Sequence, residues 1–254
     1  MNVRVFWVCF SLILLNGCVS DLPPITELPD GPREKQLFVV IDDAGLVLEE
    51  TRQFLDIPVP MTIAVLPHQR NTTEVCREIA LDPLKEIIIH QPMEAADSSQ
   101  NPGTGAILGS TTPEQAVALL DWNLNSVPGA VGMNNHMGSK VTEDPVLMRT
   151  VLRYCRARGL FFLDSKTAYN SIVPRVAQAE QIHVEQRDSF LDIEHDREYI
   201  RRMWSSAIGT AREKGYAVII GHAWSEETAA AIRDSYETLQ AQGYTFHKLS
   251  ELYK

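Results

Sequence analysis

The sequence predicts an α/β fold, an irregular (β/α) barrel of seven to eight mostly parallel strands. Short apolar runs rich in β-branched residues alternate along the chain with segments of helical period. Capping residues, Pro and Gly stand where the helices would begin and end. Polar and charged residues follow most of the apolar runs, which is typical of strand ends in such barrels. An open parallel sheet is the alternative, because periodicity alone does not separate the two.

Residues 1–18 are expected to be a signal segment outside the fold. Arg4 precedes an apolar run, Val5 to Leu15, that is too short to span a bilayer. The Leu-Asn-Gly-Cys sequence ending at Cys18 resembles a bacterial lipobox, so we expect an exported protein that is attached to a membrane of the cell envelope through a lipid on Cys18. Plain secretion and an uncleaved N-terminal helix are the alternatives.

A Pro-rich tether and one domain follow the signal segment. Residues 19–36 contain four prolines and little periodicity, as a semi-extended linker does. Residues 37–254 form the domain, and its Cys76 and Cys155 lack the neighbours of a metal motif, which favours core positions. The net charge of −10 argues against a nucleic-acid surface.

The first half of the domain predicts four strands and three helices. Strands are expected at 37–42, 61–66, 86–90 and 130–133, and helices at 47–55, 72–80 and 113–126. The third helix has the clearest start, because Thr112 is a capping residue, Pro113 is first in the helix and Gln115 can complete a capping box.

The second half continues the alternation. Asp144-Pro145 opens a helix that Gly159 closes, and strands are expected at 160–163 and 183–187. A long helix at 197–214 stops at Gly215; a strand at 216–220, a helix at 226–242 and a short strand at 245–249 complete the chain.

Six of the predicted strands are followed by polar or charged side chains. The list is Asp42 and Asp43; His90 and Glu94; Asn134, Asn135, His136 and Ser139; Asp164; Asp188 and Asp192; and His222. Because strand ends converge on one face of a barrel, we expect a shared site. One Asp and two His form a familiar ligand set for Zn²⁺ or another first-row divalent ion. A neighbouring carboxylate and imidazole could then serve as base and acid in hydrolysis of an amide or ester.

Five segments together resemble the divergent polysaccharide deacetylase family, a remote branch of the NodB-like carbohydrate esterases. They are Ile41-Asp-Asp43, His90-Gln-Pro-Met-Glu94, Gly132-Met-Asn-Asn-His-Met-Gly-Ser139, Phe161-Phe-Leu-Asp-Ser-Lys166 and Gly221-His222, and the segment around Asn-Asn-His-Met-Gly-Ser is the most specific of them. The resemblance implies a distorted (β/α) barrel, a divalent metal and an acetylated polysaccharide as substrate.

The resemblance also implies roles for individual residues. Asp42 would be the general base, Asp43 a metal ligand and His222 the general acid. His90 would be the first histidine of the HxxxH motif of the esterases, whose second histidine is replaced here by Glu94. His136 would then supply the missing imidazole. For Glu94 two roles stay open, one as a ligand or supporting residue of the site and one in a loop salt bridge.

The remaining polar residues at the strand ends are expected to bind substrate or to support the site. They are Asn134, Asn135, Ser139, Asp164, Asp188 and Asp192. The sequence thus favours a metal-dependent hydrolase, most simply a Zn²⁺ enzyme, that removes acetyl groups from an envelope or extracellular polysaccharide. A non-catalytic glycan-binding or assembly lipoprotein with the same fold is the alternative, and a serine hydrolase is disfavoured because the chain has no G-x-S-x-G elbow.

Overall fold

The computed structural model describes residues 34–254, so the predicted signal segment, Cys18 and nearly all of the tether lie outside the described residues. The strands are β1 (Lys35–Ala44), β2 (Met61–Val65), β3 (Lys85–Met93), β4 (Ala130–Met137), β5 (Phe161–Asp164), β6 (Val184–Gln186), β7 (Ser189–Phe190), β8 (Tyr216–His222) and β9 (Tyr244–His247). The helices are α1 (Leu48–Leu55), α2 (Thr72–Ile79), α3 (Pro113–Ser126), α4 (Pro145–Ala157), α5 (Val173–Glu180), α6 (Arg197–Lys214), α7 (Glu226–Arg233) and α8 (Tyr236–Ala241), with short 3₁₀ turns at Val141–Glu143 and Leu249–Tyr253.

The nine strands form one curled, parallel sheet, in which eight follow the order β6-β5-β4-β3-β2-β1-β8-β7 and β9 pairs with β1 outside that order. Strand β1 lies near the middle, with β8 along one edge from Gln36 to Asp42. Its other edge is shared, because β9 pairs with residues 35–38 and β2 with the carboxyl end. The terminal strands of the order, β6 and β7, leave the barrel incompletely closed. The predicted irregular barrel is confirmed, with nine strands instead of seven or eight.

Several predicted elements differ from the observed ones at their ends. Strand β4 runs on to Met137, beyond the predicted end at 133, because its polar residues keep the main-chain pairing with β3. The predicted helix 226–242 is divided into α7 and α8 at Asp234–Ser235, where the Ser235 hydroxyl donates to Ala231 and accepts from the Trp204 indole. Helix α5 and the two-residue strand β7 were not predicted.

Alternating residues of the strands form two apolar layers. Leu37, Val39 and Ile41 of β1 belong to the large cluster between the sheet and the helices. Phe38 and Val40 belong to a smaller cluster inside the barrel. Because side chains alternate along a strand, the next inward position of β1 is residue 42. The inner apolar cluster therefore forms the floor beneath the polar residues at the carboxyl ends of the strands.

The cysteines and the helices of the domain have two further properties. Cys76 and Cys155 are both buried as free thiols in the core, as expected, and burial raises the pKa of each to about 12. Among residues 34–254, no helix combines the length and the apolar character needed to cross a membrane.

Candidate active site

The inward rows of four strands bring polar side chains together at the mouth of the barrel. Asp42 is paired with His222 across β1 and β8, and His90 is paired with Asn134 across β3 and β4. In each strand the inward residue two positions earlier is apolar or glycine, so the polar side chains begin only at the carboxyl end of each row. His136 follows Asn134 in the same row of β4. The site thus arises from strand register.

Asp43 reaches the same site through an irregularity of the backbone. Strict alternation would turn its side chain away from Asp42 and toward the helices. The register between β1 and β2 shifts between Ile41 and Ala44, and Asp43 has a φ of +63°. A left-handed residue other than glycine costs free energy and is concentrated at functional sites. Here it allows two adjacent carboxylates to face one centre.

Asp43, His90 and His136 form a cluster of three possible metal ligands. Asp43 Oδ1 lies 3.2 Å from His90 Nε2 and 3.0 Å from His136 Nδ1, and the two nitrogens are 3.1 Å apart. Despite these short distances, Asp43 Oδ1 is buried without a hydrogen bond of acceptable geometry. Burial raises the pKa of Asp43, but its contacts with His136 and His90 outweigh that effect and keep the pKa below its ordinary value. A buried anionic oxygen beside two imidazole nitrogens fits a divalent cation such as Zn²⁺.

The amide of Asn134 orients a ligand and the neighbouring carboxylate together. Its oxygen lies 2.8 Å from His90 Nδ1, which makes Nδ1 the donor and leaves Nε2 free for a cation. Its nitrogen donates to Asp42 Oδ1 at 2.8 Å and to Ser165 Oγ at 3.2 Å. Asp42 is only 1% exposed, and burial raises its pKa. Its second oxygen lies 3.7 Å from His90 Nε2, beside the ligand cluster.

His222 is held by a buried carboxylate on the other side of β1. Its Nδ1 lies 2.6 Å from Asp192 Oδ1, and its backbone N–H donates to Asp192 Oδ2 at 2.9 Å. Thr228 donates a further hydrogen bond to Asp192. Gly221 permits this close packing, since a Cβ there would lie 2.6 Å from the Thr228 methyl. Burial lowers the pKa of His222, but Asp192 outweighs it and raises the pKa to about 9.

We expect the metal-stripped protein to show this raised pKa directly. In NMR titration, His222 should lose its proton near pH 9, and Asp192→Asn should move that midpoint to lower pH because the charge that favours imidazolium is gone. The stability that the pair contributes is present below the unfolded pKa of about 6.5 and lost as pH rises through 9. An unchanged midpoint in Asp192→Asn would contradict this assignment; His183→Ala, at an exposed position, is the control.

A cavity of about 230 Å³ adjoins the cluster. Its polar lining is formed by Asp42, His90, Asn135, His136, Thr167 and His222, and its apolar lining by Met137, Phe190 and Ile193. A larger cleft of about 470 Å³ around Phe161 and Tyr253 contains none of the clustered ligands. The smaller cavity is therefore the candidate active-site cavity, and it has room for a small polar group beside an apolar wall.

Glu94 does not join the ligands. Its Oε1 lies 2.7 Å from Lys140 Nζ, and its Oε2 accepts a hydrogen bond of 2.6 Å from the Gly109 backbone. Hydrogen bonds from Lys140 and Gly109 lower its pKa. Of the two roles left open by the sequence, the structure places Glu94 in the loop salt bridge.

Asn135 and Ser139 hold the loops that surround the site. Asn135 accepts from the Ser165 backbone and donates to the carbonyl of Met137. Ser139 accepts from the backbone of Ala96, in the loop after β3. Asn135 therefore both lines the cavity and supports it, whereas the Ser139 hydroxyl is engaged in loop contacts.

Asp164 and Asp188 are not brought to the cluster. Asp164 follows the inward Leu163, so it faces the other side of β5, where it accepts from Ser171 and Gln186. Asp188 pairs with Lys214 at 3.1 Å. We expected both residues to bind substrate or to support the site, but their carboxylates instead hold neighbouring loops and strands. Asp192, predicted in the same group, does reach the site through His222.

Sequence reasoning missed some residues that line the cavity or contact the site residues. Ser165 could have been found, because it is the next inward position after Leu163 of β5. Phe190 lies in β7, a strand of two residues that has too few positions to show a period. Ile193 is 64% exposed, and its place in the lining depends on the β7–α6 loop, which no sequence period describes.

Two curated proteins are similar to this chain in sequence. An uncharacterized protein of Haemophilus influenzae is 32% identical over 213 residues, which cover 83% of this chain and 75% of that protein. The uncharacterized protein YibQ of Escherichia coli K12 is 34% identical over 187 residues, which cover 74% of this chain. The second match covers 58% of YibQ, so the chain spans less than two thirds of that relative.

Solved structures share the fold. The uncharacterized protein ATU2773 of Agrobacterium tumefaciens superimposes with a TM-score of 0.81 at 22% identity, over 89% of this chain and 92% of that one. The catalytic domain of peptidoglycan N-acetylglucosamine deacetylase from Eubacterium rectale gives 0.56 at 16% identity, over 86% and 90%. In sequence, the family model described as divergent polysaccharide deacetylase matches residues 39–253, nearly the whole described domain. The chain belongs to the divergent polysaccharide deacetylase family.

Proposed function

We propose that this protein is a metal-dependent hydrolase that removes acetyl groups from an N-acetylated or O-acetylated polysaccharide of the cell envelope. The observation that carries the proposal is the convergence of Asp43, His90 and His136, whose possible ligand atoms all lie within 4.8 Å of one another. Asp42 and His222 line the cavity beside them. Family membership supports the reaction class. The solved deacetylase of Eubacterium rectale, named for peptidoglycan N-acetylglucosamine, supports a glycan substrate.

In such a hydrolysis, separate residues of the chain would accept and donate the protons. Asp43, His90 and His136 would hold a divalent cation, Zn²⁺ by the chemistry of the donors, which would supply positive charge and lower the pKa of a water. Asp42 accepts the proton of the attacking water, in the orientation that Asn134 gives it. His222 donates a proton to the leaving nitrogen or oxygen, and Asp192 keeps that imidazole charged and fixed. Met137, Phe190 and Ile193 provide an apolar wall for the acetyl methyl.

Export and anchoring complete the proposal. They are supported by the short apolar run of residues 5–15 and the Leu-Asn-Gly-Cys sequence ending at Cys18. A polysaccharide of the envelope would then be within reach of a domain carried on a Pro-rich tether.

Release of acetate tests the function. Zinc-loaded protein should release acetate from peptidoglycan or from N-acetylglucosamine oligosaccharides, and removal of zinc with a chelator should stop the release, which returns when zinc is restored. A chromatographic assay of acetate measures both. Glycan binding without acetate release, by protein that demonstrably holds metal, would overturn the enzyme and favour the non-catalytic binding protein.

A further inference from the structure

Trp224 lies two residues after His222 and contacts both the ligand cluster, through Asp43, and the proposed acid, His222. Its Nε1–H donates to Asp43 Oδ2 at 3.2 Å. Its ring stacks on the imidazole of His222, with centroids 5.1 Å apart and planes 17° from parallel. The chain has four tryptophans, and among the described ones only this residue makes a contact with the ligand cluster.

We propose that Trp224 is a positioning residue with two separate effects, one on the metal and one on the acid. Its N–H selects the oxygen of Asp43 that faces the metal position, and its ring holds the plane of His222. The inference rests on the proposed metal-dependent function and adds a residue for which neither the sequence pattern nor the family resemblance gave a definite role.

The effect on the metal follows from the two oxygens of one carboxylate. Oδ2 is engaged by the indole N–H, whereas Oδ1 is turned toward His90 and His136. Hydrogen bonds from a neutral donor to a carboxylate are stronger than those between neutral groups, so the N–H restrains rotation of the side chain. Partners of this kind, which bind a ligand and not the metal, typically change metal affinity by about 10-fold to 100-fold when removed.

The effect on the acid follows from a stack of four rings. His222 stacks on Trp224 and also on Phe190, whose centroid is 5.6 Å away with planes 20° from parallel, and His195 stacks on Trp224 at 4.6 Å. Asp192 fixes one nitrogen of His222 within the ring plane, but one hydrogen bond still permits rotation about its axis. Two rings stacked on the imidazole oppose that rotation, and an indole face also favours the charged imidazolium. The second nitrogen is thereby held in one direction.

The two effects can be separated with two substitutions. Trp224→Phe keeps a stacking ring and removes the N–H, so its dissociation constant for Zn²⁺ should rise by about 10-fold to 100-fold, and its kcat at saturating zinc should fall much less than that of Trp224→Leu. Trp224→Leu removes both contacts, so it should show the same loss of affinity and, in addition, a kcat at saturating zinc that is lower by about 10-fold or more. Trp122→Phe, which alters a ring stacked on His68 away from the ligands, is the matched control.

Competition with a chromophoric chelator measures the zinc affinity of the full chain without reference to activity, and circular dichroism of the metal-free variants verifies folding. If the unmodified protein binds no zinc, the proposed function itself fails. If it binds zinc and Trp224→Phe binds it equally well, only the role of the N–H is overturned. If Trp224→Leu keeps full kcat at saturating zinc, the role of the stack is overturned. Should Trp224→Leu not fold, Trp224→Met provides the same loss of the ring.

Discussion

Asp42→Asn should reduce turnover by about 10²-fold to 10⁴-fold and leave the metal content unchanged, since general base catalysis contributes an effect of that size. The substituted amide keeps an oxygen for the hydrogen bond from Asn134 but cannot accept a proton from water. It also leaves Asp43, His90 and His136 untouched. Acetate release and zinc content, measured on the same preparation, distinguish a lost base from a lost metal.

The matched control is Asp56→Asn, the same chemical change at an exposed carboxylate that ends α1. Its turnover should equal that of the unmodified protein. Unchanged turnover in Asp42→Asn would remove Asp42 from the mechanism. Loss of zinc together with turnover would mean that Asp42, and not only Asp43, binds the cation.

The sequence predicted which residues meet, because that depends on few properties of the fold. In a parallel sheet every strand ends on the same face, so acids and histidines that follow separate strands must approach one another. This argument brought His90, His136 and His222 together across three strands, as the structure has them. The alternation of side chains could also have excluded Asp164, which follows the inward Leu163.

The exceptions are residues whose direction depends on local backbone geometry or on loops. Asp43 faces the site only because of the register shift and its positive φ, and the periodicity of the sequence predicts neither of them. Glu94 has the spacing of a ligand after His90, yet β3 continues to Met93, and the chain beyond it leads Glu94 to Lys140 and Gly109. Spacing along a chain predicts a ligand pair only when the intervening backbone is known.

The second large effect that we expect concerns metal binding, and it distinguishes His136 from Glu94 as a ligand. His136→Ala should abolish stable metal binding, with an affinity loss greater than the roughly 100-fold that follows from losing a partner outside the ligand set. Two of the three donor atoms would remain, too few for a closed set around Zn²⁺. Glu94→Gln should keep its zinc, because that carboxylate is held by Lys140 and the Gly109 backbone and does not face the other ligands.

Elemental analysis of the purified full chain, with His183→Ala as a control at an exposed histidine, measures the zinc content of each variant. About one equivalent in Glu94→Gln and none in His136→Ala would show that this chain uses a histidine from β4 where the resemblance leads one to expect a residue four positions after His90. The opposite pattern would return Glu94 to the ligands and require the loop after β3 to rearrange around the metal. The comparison matters because β4 is fixed by its ladder to β3, so a ligand on it needs no loop to close before the cation binds.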